Sequence, residues 1–130
     1  MTPLVFGLLH DSIGIWVINS DGTGSKKIYD FTSIDYFGKT DWSPSGEQIL
    51  LMYNANIYIA SYDGSTVDTS SIEQLTFEGV NLLPQWSPDG KYIIYNQTYC
   101  YIDGVSCGLW LLSLEDKTSK FIHFAIESAT

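Results

Sequence analysis

The sequence predicts an all-β fold made of tandem four-stranded antiparallel units, on three observations. Asp41-Trp42-Ser43-Pro44-Ser45-Gly46-Glu47 returns 44 residues later as Gln85-Trp86-Ser87-Pro88-Asp89-Gly90-Lys91. Each copy leads into a short apolar run, Ile49-Leu50-Leu51-Met52-Tyr53 and Tyr92-Ile93-Ile94-Tyr95. A further run, Ile15-Trp16-Val17-Ile18, recurs as Ile57-Tyr58-Ile59-Ala60 at a spacing of 42 and as Leu109-Trp110-Leu111-Leu112 another 52 on. Self-similarity at such a period marks an array of stacked units, each unable to hide its apolar faces alone.

The repeated stretch reads as a strand end running into a tight turn. Pro44 and Pro88 preset φ for the second turn position, and Gly46 and Gly90 supply the left-handed residue that closes it. Trp42 and Trp86, just before the turn, are large apolar plates suited to the gap between sheets. The runs rich in Ile, Leu and Tyr that follow suit strands buried on both faces. Asp21-Gly22 and Asp63-Gly64 end the first two copies of the third strand as hairpin signals; the third copy ends in Glu115-Asp116 without the glycine. A more polar fourth strand, at 26–31, 72–76 and 119–123, suits an outer edge. Four short antiparallel strands at a period near 43 describe a β-propeller blade.

Taken along the chain, residues 4–31 give a first blade lacking its first strand, 38–76 a complete second and 81–123 a complete third, in a single domain over 1–130. The 44-residue spacing puts the missing first-strand Trp about two positions before Met1. A propeller closes with four to eight blades, so the expectation is a partial propeller. Its missing blades come from a longer chain, or from a second copy that completes a six-bladed assembly, with Phe124-Ala125-Ile126 crossing over to supply a strand. Trp16, Tyr58 and Trp110 hold equivalent third-strand positions and are expected to pack between blades, as are Trp42 and Trp86.

These residues resemble the WD-like repeat of TolB-type β-propellers: the Ile-Trp/Tyr-Val strand with its Asp-Gly turn, the Leu75-Thr76 pair, and Trp-Ser-Pro-Asp-Gly-Lys. Related repeats occur in the propeller domains of prolyl-oligopeptidase-like peptidases. The resemblance covers nearly the whole chain and implies a non-enzymatic module that binds a protein partner through rim loops or a central channel. Two other classes stay open: an accessory propeller domain of a larger enzyme, and a propeller that binds a small ligand or glycan. One fold hosts many roles.

Composition narrows the partners. The chain carries 15 acidic residues against six lysines and no arginine, for a net charge of −9. That balance weighs against nucleic acid and anionic membrane surfaces, which call for clustered Lys and Arg. The N-terminal run Leu4-Val5-Phe6 has no basic leader or small-residue cleavage pattern, so no signal peptide is read there, and it is too short for a membrane span.

One loop is expanded, from Asn96 to Gly108, and expanded loops on a rigid scaffold carry specificity. Within it Tyr99, Tyr101 and Ile102 are the partner-contact candidates, since Tyr is enriched in interfaces. Cys100 and Cys107, the only cysteines, flank the loop at a spacing that a disulfide can close, with reduced thiols as the alternative. A bridge implies export to a periplasmic or extracellular location. Gly104-Val105-Ser106-Cys107-Gly108 matches the nucleophile-elbow pattern, but that elbow needs a strand-to-helix turn with His and Asp delivered by an α/β sheet, so no catalytic role is assigned to Ser106. His10 and His123 read as structural residues at strand ends. Asp11, Asp21, Asp63, Asp89 and Asp103 read as carboxylates bonding their own turns, with calcium held by Asp and loop carbonyls as the minor alternative. No cofactor is expected. Asn96-Gln97-Thr98 matches the glycosylation sequon.

Overall fold

The computed structural model describes residues 4–8, 14–30, 40–98 and 107–123. Every regular element among them is a strand: β1 (Leu4–Leu8), β2 (Gly14–Ile18), β3 (Lys26–Asp30), β4 (Asp41–Trp42), β5 (Gln48–Tyr53), β6 (Asn56–Tyr62), β7 (Val67–Gln74), β8 (Val80–Trp86), β9 (Tyr92–Thr98), β10 (Gly108–Ser113) and β11 (Thr118–His123). They form three antiparallel sheets in sequence order: β1-β2-β3 (sheet 1), β4-β5-β6-β7 (sheet 2) and β8-β9-β10-β11 (sheet 3). These are β-propeller blades. The first strands β4 and β8 lie against one another, so sheets 2 and 3 share an inner edge and present their polar fourth strands outward.

The two copies of the Trp-Ser-Pro turn fold alike, bond for bond. Gly46 N donates to Ser43 O at 2.9 Å and Gly90 N to Ser87 O at 3.0 Å. The serine hydroxyl then accepts from the first residue of the next strand, Gln48 N at 3.1 Å and Tyr92 N at 3.0 Å. Gly46 and Gly90 stand at φ +77° and +76°, a region that costs a residue with a Cβ. The neighbouring hairpin is tied down in the same way, Tyr62 N to Glu47 O at 2.9 Å and Leu114 N to Lys91 O at 3.0 Å. The third hairpin, lacking its glycine, places Lys117 at φ +58° instead.

The core follows from strand alternation. Residues 49 and 51 of β5 point to one face of sheet 2 and residue 50 to the other, and both faces are covered. One interior cluster joins Ile15, Val17 and Ile28 of sheet 1 to Ile49, Leu51, Ala60 and Val67 of sheet 2. A second joins Leu50, Ile57, Ile59 and Leu75 to Trp86, Ile93, Tyr95 and Leu112 of sheet 3. The repeat governs which residue lands where: Trp42, Ile49, Leu51, Tyr58, Ala60 and Tyr62 pack toward sheet 1, and their counterparts Trp86, Ile93, Tyr95, Trp110, Leu112 and Leu114 pack toward sheet 2. Each blade therefore turns its aromatic third-strand position toward the blade before it.

Trp16 holds the equivalent third-strand position in sheet 1. By the same register it lies on the face of sheet 1 turned away from sheet 2, outside both clusters, with Lys27 Nζ 5.8 Å from its ring centroid. The cause is the one-residue alternation that sends Ile15 and Val17 inward. A difference from expectation lies at the end of β7. The strand stops at Gln74, and Leu75-Thr76, expected to continue it, enters the link to β8.

Candidate functional site

At one end of the sheets three segments converge: the β5–β6 turn, the link Leu75–Gly79, and the base of the expanded loop. Asn54 and Ala55 form a two-residue hairpin with φ of +52° and +66°, the geometry whose twist matches paired strands. Leu75 N donates to Ile57 O at 2.7 Å. The Thr76 hydroxyl stands in for the next rung: Oγ1 accepts from Ile57 N at 2.9 Å and donates to Asn56 Oδ1 at 3.0 Å. This is the physical content of the Leu-Thr pair, the leucine entering the core and the threonine closing the ladder.

Asn81, at 0% exposure, ties the three segments together. Its Nδ2 donates to Glu78 O at 2.9 Å and, at 3.3 Å each, to Ala55 O and Asn56 Oδ1. Its backbone N donates to Ala55 O at 2.9 Å. Gln97, the second residue from the end of β9, donates through Nε2 to Glu78 O at 2.9 Å and to Asn81 Oδ1 at 3.0 Å. Gly79, at φ +74°, sits under this amide, where a Cβ would meet Gln97 Cδ at 3.0 Å. A buried network of this kind, satisfied at each member, fixes one arrangement. Here it holds the root of the expanded loop rigidly against sheet 2.

Beside the network a cleft of about 340 Å³ opens between sheets 2 and 3, lined among others by Phe77, Glu78, Tyr95, Trp110, Lys117 and Ser119. Phe77 stands at its edge with 72% of its surface exposed. Tyr95 donates from its hydroxyl to Ser119 Oγ at 2.9 Å. Burial pushes its phenol above the ordinary value, with the bond to Ser119 opposing, so the ring is a neutral donor at pH 7. Lys117 Nζ meets Glu73 Oε1 at 3.3 Å across the two sheets; an exposed pair of this kind contributes little to stability. The cleft offers aromatic surface, hydroxyls and one ion pair.

The other sequence-singled residues fall as follows. Tyr99, Cys100, Tyr101, Ile102, Asp103, Ser106, His10 and Asp11 lie outside the described residues, as does the side chain of His123. Cys107 precedes β10, and no free cysteine stands among the described residues. Asp21, Asp63 and Asp89 each bond their own turns. The Asp21 carboxyl is lowered by Thr23, first through its hydroxyl and then its backbone N–H. That of Asp63 is lowered by the N–H groups of Thr66 and Ser65, and that of Asp89 by the Ser87 hydroxyl and the Lys91 N–H. Among the described residues no three His, Cys, Asp or Glu are grouped to hold a metal. Asn96 of the sequon is half-buried in β9, paired with Leu82 on one side and Leu109 on the other. Asn81 and Phe77 carry no motif and were not singled out by the sequence, and Gln97 entered only as the middle residue of the sequon, with no role of its own.

Blades of this kind define a β-propeller of TolB-like fold. Among solved structures, the chain is similar to TolB from Acinetobacter baumannii, with a TM-score of 0.67 at 20% identity over 91% of this chain and 29% of that one. It is similar to an oligogalacturonate lyase in complex with manganese, at 0.60 and 20% over 92% of this chain and 32% of that one. The oligogalacturonate lyase of Vibrio parahaemolyticus matches at 0.58 and 15%, over 92% and 33%. The chain thus spans about a third of the length of these structures, and at these identities the likeness concerns the fold. No protein-family model and no curated protein matches the sequence.

Proposed function

We propose that this chain is a non-enzymatic β-propeller module that binds a protein partner with the end carrying the expanded loop. The observation that carries the reading is Phe77, 72% exposed on a cleft whose wall includes Gln97, at the root of that loop. An exposed aromatic beside a rigid loop base is the kind of anchor on which binding energy concentrates. Tyr99, Tyr101 and Ile102 of the loop extend the same apolar and aromatic character. The described carboxylates with lowered pKa serve their own turns, which fits a scaffold rather than acid–base chemistry. We assign Cys107 to a bridge with Cys100, the only other cysteine, and the protein accordingly to an oxidising periplasmic or extracellular compartment.

A second reading is favoured by one feature. Phe77, Trp110 and Ser119 lining the cleft combine aromatic rings and a hydroxyl, a chemistry that suits a sugar. As an accessory domain of a larger enzyme, the same end would gate a catalytic unit outside this chain.

The test is a cross-linking pull-down with wild type, Phe77→Ser and Tyr101→Ala, alongside a glycan array. The protein-binding reading expects one partner cross-linked by wild type and at least a tenfold loss in either variant. A glycan signal that the variants abolish, with no cross-linked protein, would replace it with the sugar reading.

A further inference from the structure

The blade register also specifies the two outer faces of the stack. Every blade has a backward face, turned toward the blade before it, and a forward face, turned toward the next. Backward faces place residues such as Ile49, Tyr58 and Ala60 in sheet 2, or Ile93, Trp110 and Leu112 in sheet 3, against the forward face of the preceding sheet. The forward face of sheet 2 answers with Leu50, Ile57 and Ile59. Carried to sheet 3, the same positions are Ile94, Leu109 and Leu111, paired in register as Leu111↔Ile94 and Leu109↔Asn96. Carried to sheet 1, the backward positions are Leu4, Trp16 and Ile18, with Leu4 opposite Ile18.

Among the described residues no sheet lies on either of these faces. An antiparallel sheet facing water alternates apolar inside with polar outside. These two faces keep most of the apolar residue types of the two internal junctions, with Asn96 beside Leu109 on the forward face where sheet 2 has Met52 beside Ile57, and Leu4 is left 57% exposed. They are also of opposite kind, one forward and one backward, so they are complementary to each other rather than each to itself.

We propose that the forward face of sheet 3 stacks on the backward face of sheet 1 of a second copy of this chain, and reciprocally. Two head-to-tail junctions close a pair with six sheets, inside the four-to-eight range in which propellers close. The inference rests on the blade register and not on partner binding at the rim, so either can fail alone.

The test is the mass of the 130-residue chain by sedimentation, with Leu4→Lys on the backward face and Leu111→Lys on the forward face, each checked for β circular dichroism. Wild type is expected at twice 14.6 kDa. Each variant alone spoils both junctions and is expected to weaken association by at least tenfold. Mixed in equal amounts, the two retain one intact junction, Leu111 of one copy over Leu4 of the other, and recover a heterodimer. Were a charged variant to lose its fold, the wild-type mass alone decides. A monomer at all concentrations, as expected if further repeats of a longer chain fill these faces, overturns the proposal. So does open-ended assembly, or a dimer that Leu111→Lys leaves intact, which would pair like faces.

Discussion

Trp86→Ala is expected to lower the unfolding free energy by about 3–5 kcal/mol and Tm by on the order of 10 °C. Trp86 is 7% exposed and sits in the cluster that joins sheet 3 to sheet 2. Truncation removes the plate between Leu50, Ile57 and Ile59 on one side and Ile93 on the other, in a region that strand backbones prevent from collapsing. Against a total stability of roughly 5–15 kcal/mol for a domain of this size, that loss is a large share. The indole Nε1 is buried without a partner, so the ring acts by volume. Trp86→Phe, which also removes the unpaired N–H, is therefore expected to cost well under half as much. Phe77→Ala is the control: at 72% exposure it is expected to change stability by less than about 0.5 kcal/mol. Urea titrations of the three variants check this, and equal losses in Trp86→Ala and Phe77→Ala would refute the inter-sheet role of Trp86.

Asn81→Asp is expected to cost about 3 kcal/mol or more at neutral pH. The change is nearly isosteric but replaces two donors with an acceptor. Three oxygens that Asn81 Nδ2 now serves, on Ala55, Asn56 and Glu78, would face a carboxylate at 0% exposure. Only Gln97 and the residue's own backbone bond would persist. Asn81→Ala, which leaves no buried charge, is expected to cost less. Its partners keep other bonds: Ala55 O from Asn81 N, Glu78 O from Gln97, and Asn56 Oδ1 from Thr76. The order Asp worse than Ala, measured by denaturant midpoint, is the expected result. The reverse order would mean that position 81 is wet and the network does not hold sheets 2 and 3.

The fold was legible because its signals are local and repeated. A proline and a glycine two residues apart specify a turn whatever lies around them, and copies 44 residues apart give the same bonds in both sheets. The site was legible only in part. The length of the 96–108 loop is visible in the spacing, but Asn81 and Gln97 show no network role until the fold brings 55, 56, 78 and 97 within hydrogen-bond reach. Phe77, next after the Leu-Thr pair, carries no motif of its own. The Leu-Thr pair was visible as a motif, whereas the reason for it, a hydroxyl replacing a backbone rung, needed the pairing of β6 with β7. Trp16 shows the converse: sequence equivalence with Tyr58 and Trp110 gave its position in the blade but not whether a preceding blade covers it.

The most direct measurement is a nuclear Overhauser spectrum of the aliphatic-labelled protein, read at the Trp86 indole protons. Blades stacked in repeat register place that ring among the methyl groups of Leu50, Ile57 and Ile59 from the preceding sheet, and cross-peaks to them are the expected result. Cross-peaks confined to sheet 3, to Ile93 and Leu112 alone, would contradict the stacking on which the fold, the cleft and the pairing of free faces all depend.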